Sequence, residues 1–466
     1  KLSAKRLHRP LLRIGLISSE HGFAKCQSIF TVPCHGWFMA RTYSTKQHRR
    51  QSTPESTEEM LNGRLSGRIH ITGMGNVGCF VAHALASRKT RPPITLLLHN
   101  KDMYAKWMRR KQSISLMTNG LDDIKTGYDV NVLDNNIWYS LPHSTDQDTL
   151  SDTYMELAPG SSLHGLEGYE ELAPIPPEKD DEKIECLIVT TKAPQTVQAL
   201  ASVSNRLTPE STVLFLQNGM GVVEEVNEQV FPDPKNRPHY IQGIISHGLK
   251  GHQHYHIEYT GVGTVILGAL PSQASPNLKE EDWAPSTKYL LRTLTLTPPL
   301  VAVAESPTNV LQYQLEKLAM NCVINSFTVL LDAQNGELLY NYHITRSMRL
   351  LLAEISTVIC ALPELEGVPG IQSRFATERL RKLAANLANK TAANTSSMLQ
   401  DMQSLRRTEI EYINGYIVRR GDELGIKCAL NYMLMQLVLG KNYILRQREA
   451  GAVPFDLSNL ETEEEQ

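Results

Sequence analysis

Gly67-Arg-Ile-His-Ile-Thr-Gly73-Met-Gly75-Asn-Val-Gly78 joins a short β-branched run to a GxGxxG signature, and an alanine-rich helical stretch follows from Cys79 to Ser87. A glycine-rich turn alone is common. Placed between a strand and a helix at the opening of a domain, it specifies a dinucleotide site. Gly73 permits the tight turn, Gly75 lets the backbone approach a pyrophosphate, and Gly78 lets helix and strand pack closely. The diphosphate would rest on the helix N-terminus, where free N–H groups and the dipole favour negative charge. That makes the segment Gly73, Met74, Gly75, Asn76, Val77 and Gly78 the first candidate binding element.

The next strand, Ile94 to Leu98, ends in His99-Asn100-Lys101. NAD sites tend to place Asp or Glu there for the ribose hydroxyls, whereas NADP sites remove the acid and add a cation. Here the acid is absent and Lys101 is available, which leans to NADP. Asp102 follows directly, and a plain surface charge is the alternative reading of Lys101.

Further strand signals lie at Arg68 to Thr72, Glu185 to Thr190, Thr212 to Leu216 and Tyr240 to Ile245, with helical patterns between several of them. Strands alternating with helices imply a parallel doubly wound sheet. After Gly336 the pattern is helical up to Arg448. The chain therefore reads as an α/β Rossmann-type doubly wound N-terminal domain over 67–305 and an all-α C-terminal domain over 306–450. Residues 144–183, rich in Gly, Pro, Ser and acids, read as a surface insertion, since so long a structureless stretch does not belong in a compact core. Residues 451–466 read as an acidic disordered tail.

At 466 residues the chain can bury two domains, and its net charge of -2 gives no electrostatic footprint for nucleic acid. No apolar run approaches the length that crosses a bilayer. The seven cysteines are scattered and in no metal-ligand spacing, as expected for reduced thiols in an intracellular compartment without a bound metal. From Lys1 to Pro54 the chain is rich in Arg, Lys and hydroxyl residues and carries a single acid, Glu20. That is the composition of a mitochondrial transit peptide, and Arg13 interrupting the stretch Leu11 to Ile17 argues against a secretory signal. Residues 1–66 are read as this leader and a polar linker, with a mitochondrial matrix address; a basic tail of a cytoplasmic protein is the alternative.

In the segment Gln314 to Leu338, Lys317, Asn321 and Asn325 recur at every fourth position. At 3.6 residues per turn they form one narrow stripe along a helix. The residues around them, Leu318, Ala319, Met320, Cys322, Val323, Ile324 and Phe327, are apolar, so the helix should be buried. A solvated face normally carries several Glu, Lys or Arg. This one carries amides, as a cleft lined with hydrogen-bonding groups would. Two further motifs sit at strand ends, Val189-Thr-Thr-Lys192-Ala-Pro-Gln195 and Leu216-Gln-Asn218-Gly219-Met-Gly221, where open sheets bind ligands. Ser246-His247-Gly248 repeats the placement, although His247 alone suits a hydrogen-bonded structural histidine. In the helical half, Ser396 or its neighbour could cap a helix with Asp401 merely solvated, and periodicity leaves Glu409 equally consistent with a surface acid.

These motifs in this order, GMGNVG, TTKAPQ, LQNGMG, SHG, KLAMNCVIN with AQNGEL, and SSMLQD with RRTEIEYING, resemble the ketopantoate reductase (2-dehydropantoate 2-reductase) family from Arg68 to about Gln447. The resemblance implies a Rossmann domain and a helical domain, with NADPH and the 2-ketoacid in the cleft between them. It implies that Gly73 to Gly78, Lys192 and Asn218 face the cofactor, with Glu409 near cofactor and substrate. It makes Lys317 the general acid, and Asn321, Asn325, Asn335 and Ser397, with Asn218, substrate-binding residues. The chain departs from the family pattern at Asn100, where Arg is usual, which leaves Lys101 as the replacement cation for the 2'-phosphate. Tyr259-Thr260-Gly261 stands where His-Thr-Gly is usual, and the compact members have no counterpart to 144–183.

The chemistry agrees with the polar stripe. Hydride delivered to a ketone carbon leaves an alkoxide, and a cation at that oxygen stabilises the charge and supplies the proton. Desolvation would lower the pKa of Lys317 toward neutrality, with Glu316 or a bound anion opposing it. Two rivals are a related dehydrogenase acting on another 2-ketoacid and a non-catalytic NADPH-binding sensor. The intact Lys317, Asn321, Asn325 and Glu409 argue against the second.

Overall fold

The computed structural model describes residues 65–141, 179–271 and 283–451. Residues 1–64 of the expected leader and linker (1–66), most of the expected insertion and the expected acidic tail beyond 451 lie outside the described residues.

Strand β1 (Ile69–Thr72) is fully buried, turns at Gly73 and feeds helix α1 (Asn76–Ala86). A second strand, β2 (Ile94–Leu98), lies parallel to β1 on one side, and β7 (Cys186–Val189) lies parallel to it on the other. Strand order reverses across β1, and in open α/β sheets that reversal opens a crevice at the carboxyl ends of the strands. Beyond β7 come β8 (Thr212–Phe215) and β9 (His239–Ile245), both parallel to their neighbours.

The sheet is mixed at its flanks, which corrects the all-parallel expectation. β5 (Asp129–Asp134) pairs parallel with β2 but antiparallel with β6 (Ile137–Leu141). β12 (Val265–Ala269) runs antiparallel to β9 and carries the short edge strand β13 (Ala302–Ala304). A second sheet, unanticipated, joins β3 (Ile114–Thr118) and β4 (Leu121–Lys125) to β10 (Gly248–Gln253) and β11 (His256–Gly261) in the order β10-β11-β3-β4. Helices α2 (Lys101–Arg109), α3 (Ala193–Ala201), α4 (Val222–Gln229) and α5 (Pro285–Thr295) complete this half. At the C-terminal end of the expected insertion, Lys179 bridges to Tyr139, and the Asp180 carboxylate meets the buried Arg206 guanidinium at 3.1 Å.

Helix α6 (Pro307–Leu331) begins the helical half. Ser306 caps it by accepting from the Asn309 N–H, proline stands in the first turn, and Asp332 ends it in the left-handed region (φ 51°). Its apolar residues meet those of α7 (Tyr342–Cys360), α8 (Thr377–Lys390), α9 (Ser397–Gln403), α10 (Asn414–Glu423) and α11 (Ala429–Glu449) in one core. The N-terminal part of α6 lies against β9 and β12, through Val310 and Tyr313 on Ile244 and Ile266, so the Lys317 stripe reaches the carboxyl edge of the sheet.

Candidate active site

The glycine signature has the geometry its spacing implies. Gly73 has φ 90°, and a Cβ there would lie 2.3 Å from the Thr191 nitrogen, so only glycine fits where β1 and β7 turn past each other. A Cβ on Gly78 would meet the Gly73 carbonyl at 2.3 Å. One on Gly75 would meet nothing within 4 Å. The open face of the turn is thus at the residue expected to admit a diphosphate, and the first turn of α1 carries no acid to repel it. A dinucleotide fits this cradle. Gln217 fits a polar ligand as well, since its Oε1 is buried without a partner beside the cleft.

Lys317 projects from α6 into that cleft. Its Nζ donates to Asn218 Oδ1 at 2.9 Å and to the Ile245 carbonyl at 2.7 Å. Asn218 comes from the loop after β8 and Ile245 from the end of β9, so an ammonium on the helical half is held by two strand ends of the sheet half. A cavity here is lined by Gln217, Asn218, Gly219, Gln314, Lys317 and Asn321 among others. Asn325 is buried one turn further along α6. Among the described residues no hydrogen bond engages the side chain of either Asn321 or Asn325.

Burial lowers the Lys317 pKa to about 8, and the negative charge of Glu409 opposes the fall. Glu316 is not the opposing acid that its position in sequence suggested. Its carboxylate turns away to Arg374 at 2.9 Å and Arg379 at 2.6 Å.

Glu409 is not a surface acid. It is buried, accepts the Ala193 N–H at 3.1 Å and meets Asn218 Nδ2 at 3.4 Å. Burial raises its pKa, while the Ala193 N–H and the Lys192 charge pull it down. Asp401 is likewise buried and not solvated. It pairs with Lys192, which sits at the N-cap of α3, and accepts from Arg406 Nη2 at 3.1 Å. Both carboxylates belong to the helical half and grip the first turn of α3, so two acids that periodicity left undecided join the halves beside the cofactor cradle. Sequence reading noted Asp401 without assigning it a partner, and it missed Arg406 and the Ile245 carbonyl, the latter a backbone group that no side-chain pattern could report.

Three expected residues stand elsewhere. Asn335 Nδ2 donates to Thr391 Oγ1 at 2.9 Å, its Oδ1 is buried without a partner, and it does not line the Lys317 cavity. Ser397 is exposed at the start of α9, where Ser396 provides the cap by accepting from the Leu399 N–H. Lys101 is half exposed with its Nζ 2.8 Å from Asp134 Oδ2, and Asn100 is occupied in capping α2 through the Met103 N–H. His247 is structural: its ring nitrogens meet Tyr259 Oη at 2.8 Å and the Leu300 carbonyl at 2.9 Å, and burial lowers its pKa. Among the described residues, no group of three or more His, Cys, Asp or Glu could hold a metal ion, and no helix is long and apolar enough to cross a membrane.

An ammonium poised between two halves, uncommitted amides along the same helix, and an open glycine cradle form a site able to protonate an oxygen beside a dinucleotide. Known proteins carry the same arrangement of sequence. The family descriptions "Ketopantoate reductase PanE/ApbA" and "Ketopantoate reductase PanE/ApbA C terminal" match residues 143–272 and 309–442. The "Probable 2-dehydropantoate 2-reductase" of Schizosaccharomyces pombe is 28% identical over 376 residues, covering 80% of this chain and 96% of that protein. The 2-dehydropantoate 2-reductase of Salmonella typhimurium is 32% identical over 259 residues, covering 56% of this chain and 75% of that protein. The fold matches a D-mandelate dehydrogenase solved with NADH and anilino(oxo)acetate, with TM-score 0.59 at 18% identity over 81% of this chain and 99% of that one. It also matches a Bacillus subtilis probable 2-dehydropantoate 2-reductase, with TM-score 0.53 at 21% identity over 80% and 99% of the two chains. With its motifs, its fold and its relatives in agreement, the chain belongs to the ketopantoate reductase family.

Proposed function

We propose that this enzyme reduces the 2-keto group of 2-dehydropantoate to give (R)-pantoate, a step toward pantothenate and coenzyme A, with NADPH as the reductant and Lys317 as the general acid. The observation that carries the reading is the Lys317 ammonium enclosed in the cleft and held by Asn218 and the Ile245 carbonyl. When bound, the reduced nicotinamide supplies a hydride to the carbonyl carbon. As negative charge develops on the substrate oxygen, the ammonium stabilises it and then transfers its proton there. A pKa of about 8 leaves Lys317 charged at neutral pH yet a better acid than an exposed lysine.

Asn321 and Asn325, whose amides are uncommitted, bind the substrate carboxylate and hydroxyl in this reading. Asn218 orients Lys317 and borders both ligands, while Glu409 fixes Asn218 and the start of α3. Gly73 to Gly78 and Lys192 hold the cofactor. Asn335 and Ser397 stand away from the cavity, so the substrate contacts are assigned first to the α6 amides. For the 2'-phosphate the reading uses Lys101, which Asp134 shares, and it therefore gives NADPH a modest advantage over NADH. The composition of residues 1–54 supports a mitochondrial matrix address.

The test is NADPH oxidation by the purified enzyme with 2-dehydropantoate and a panel of other 2-ketoacids, with the product identified. Preferred turnover of 2-dehydropantoate to (R)-pantoate is expected. A higher kcat/KM for another 2-ketoacid would reassign the substrate, and no turnover with any would overturn the enzymatic reading.

A further inference from the structure

The loop Asn218-Gly219-Met220-Gly221 is shaped by the helical half, and its glycines show how. Gly219 and Gly221 have φ 83° and 96°, in the left-handed region where a side chain is strained. Space forbids a side chain as well. A Cβ on Gly219 would lie 2.7 Å from Tyr412 Cβ and 2.8 Å from the Tyr412 carbonyl oxygen, and one on Gly221 would lie 2.0 Å from Arg419 Nη2. Both obstacles belong to the helical half, so these glycines answer to partners far along the chain and not to the turn alone.

Side chains are exchanged across the same contact. Met220, from the sheet half, packs against the apolar core of the helical half. Tyr412, from the helical half, packs against the sheet-half core that contains Ala193, Val222 and Val226. The Met220 N–H donates to the Tyr412 carbonyl at 2.9 Å, and the Tyr412 hydroxyl donates to Glu225 Oε2 on α4 at 2.9 Å. Tyr412 itself does not line the Lys317 cavity.

This clasp borders the group that orients the ammonium. Asn218 stands immediately before Gly219, and its Oδ1 accepts from Lys317 Nζ at 2.9 Å. Glu409 opens the short 3-10 turn Ile410–Tyr412; its carbonyl accepts the Tyr412 N–H at 3.0 Å, and its carboxylate meets Asn218 Nδ2 at 3.4 Å. Asn218 is therefore held at its amide by Glu409 and along its backbone by Tyr412, one turn further on. A loop with two glycines in four residues swings unless it is held, and a misplacement of about 1 Å at a reacting group can cost about 10² in rate.

We propose that Tyr412 is a positioning residue for proton transfer: by clasping Gly219 and Met220 it fixes Asn218, and through Asn218 the aim of the Lys317 ammonium. The proposal rests on the reading of Lys317 as the general acid. A double-mutant cycle on the full chain tests it. Asn218→Ala and Tyr412→Ala should each lower kcat about tenfold to a hundredfold. The double variant should be slower than Asn218→Ala by no more than about twofold, since a residue that acts through Asn218 then has nothing left to act on. Tyr412→Phe, which keeps the ring and the carbonyl, should restore most of kcat. A second measurement does not depend on turnover. NMR titration of Lys317 in the cofactor-free protein should show its pKa, about 8 where burial outweighs the Glu409 charge, rising in Tyr412→Ala and in Gly219→Ala as the loosened loop admits water. Gly219→Ala presses on the clasp from the other side, so the test stands even if Tyr412→Ala does not fold. Losses that multiply in the double variant would overturn the proposal and leave Tyr412 a stabilising contact only, and so would a Lys317 titration that neither substitution moves. Asn218→Ala with full kcat would overturn the proposal together with the reading beneath it, which separates the two failures.

Discussion

Burial and a carboxylate act on Lys317 in opposite directions, and burial wins, so its pKa falls to about 8. As a general acid Lys317 must carry its proton, so kcat should be flat below about pH 8 and fall above it. Glu409→Gln removes the opposing negative charge and should move that fall to lower pH; a profile that stays in place would show that Lys317 does not sense Glu409. The same shift bears on stability. Because the folded pKa lies below the ordinary lysine value of 10.5, the unfolded chain binds this proton more tightly, and the penalty persists at neutral pH and is relieved as pH rises from about 8 to 10.5. Lys317→Met should therefore raise stability at pH 7 by roughly 1 to 3 kcal/mol in thermal or denaturant unfolding. Lower stability would mean that the two hydrogen bonds of Nζ outweigh its desolvation. Lys317 and Asn321 were legible in sequence because a four-residue spacing is a local fact. Asp401 and Glu409 were not, because their burial is created by Lys192 and Ala193, 209 and 216 residues away respectively.

The β1–turn–α1 unit was legible for a similar reason: Gly73 and Gly78 answer steric demands made within a few residues or by the adjacent strand, and Gly75 leaves the open face between them. The second sheet was not. β4 is exposed along most of its length, so it shows no alternation, and β3 finds its parallel partner β11 in a segment far along the chain. At the end of β2, Asn100 caps α2 and Lys101 is shared with Asp134 of β5, a contact across strands that the local sequence does not display. If Lys101 reads the 2'-phosphate, Lys101→Ala should weaken NADPH binding about tenfold and leave NADH unchanged. Asp134→Asn should tighten NADPH severalfold by releasing the cation, and Asn100→Arg should sharpen the preference. Equal weakening of both cofactors by Lys101→Ala would move the search to Lys106, Arg109 or Arg110 on α2. Titration of cofactor fluorescence distinguishes these outcomes.

Across the whole molecule, the halves meet through polar contacts at the mouth of the sheet: Lys192 with Asp401, Ala193 with Glu409, Lys317 with Asn218, and the Met220 N–H with the Tyr412 carbonyl at 2.9 Å. The order of α/β then helical segments followed from sequence pattern. The way the two halves close on one another did not, since it rests on pairs drawn from both. Contacts at the start of the described fold begin at Ser66, which donates to Glu185 at 2.7 Å. Deleting residues 1–60 should accordingly leave a folded, active enzyme and abolish mitochondrial import of a fused reporter; loss of folding would contradict the leader reading. The most direct measurement of the central claim is steady-state reduction of 2-dehydropantoate by Lys317→Ala, with NADPH affinity determined in parallel. The account predicts that kcat falls by roughly 10² to 10⁴ while NADPH binding stays nearly unchanged. Retention of kcat with only a raised KM would contradict it, making Lys317 a binding residue and placing the proton donor elsewhere.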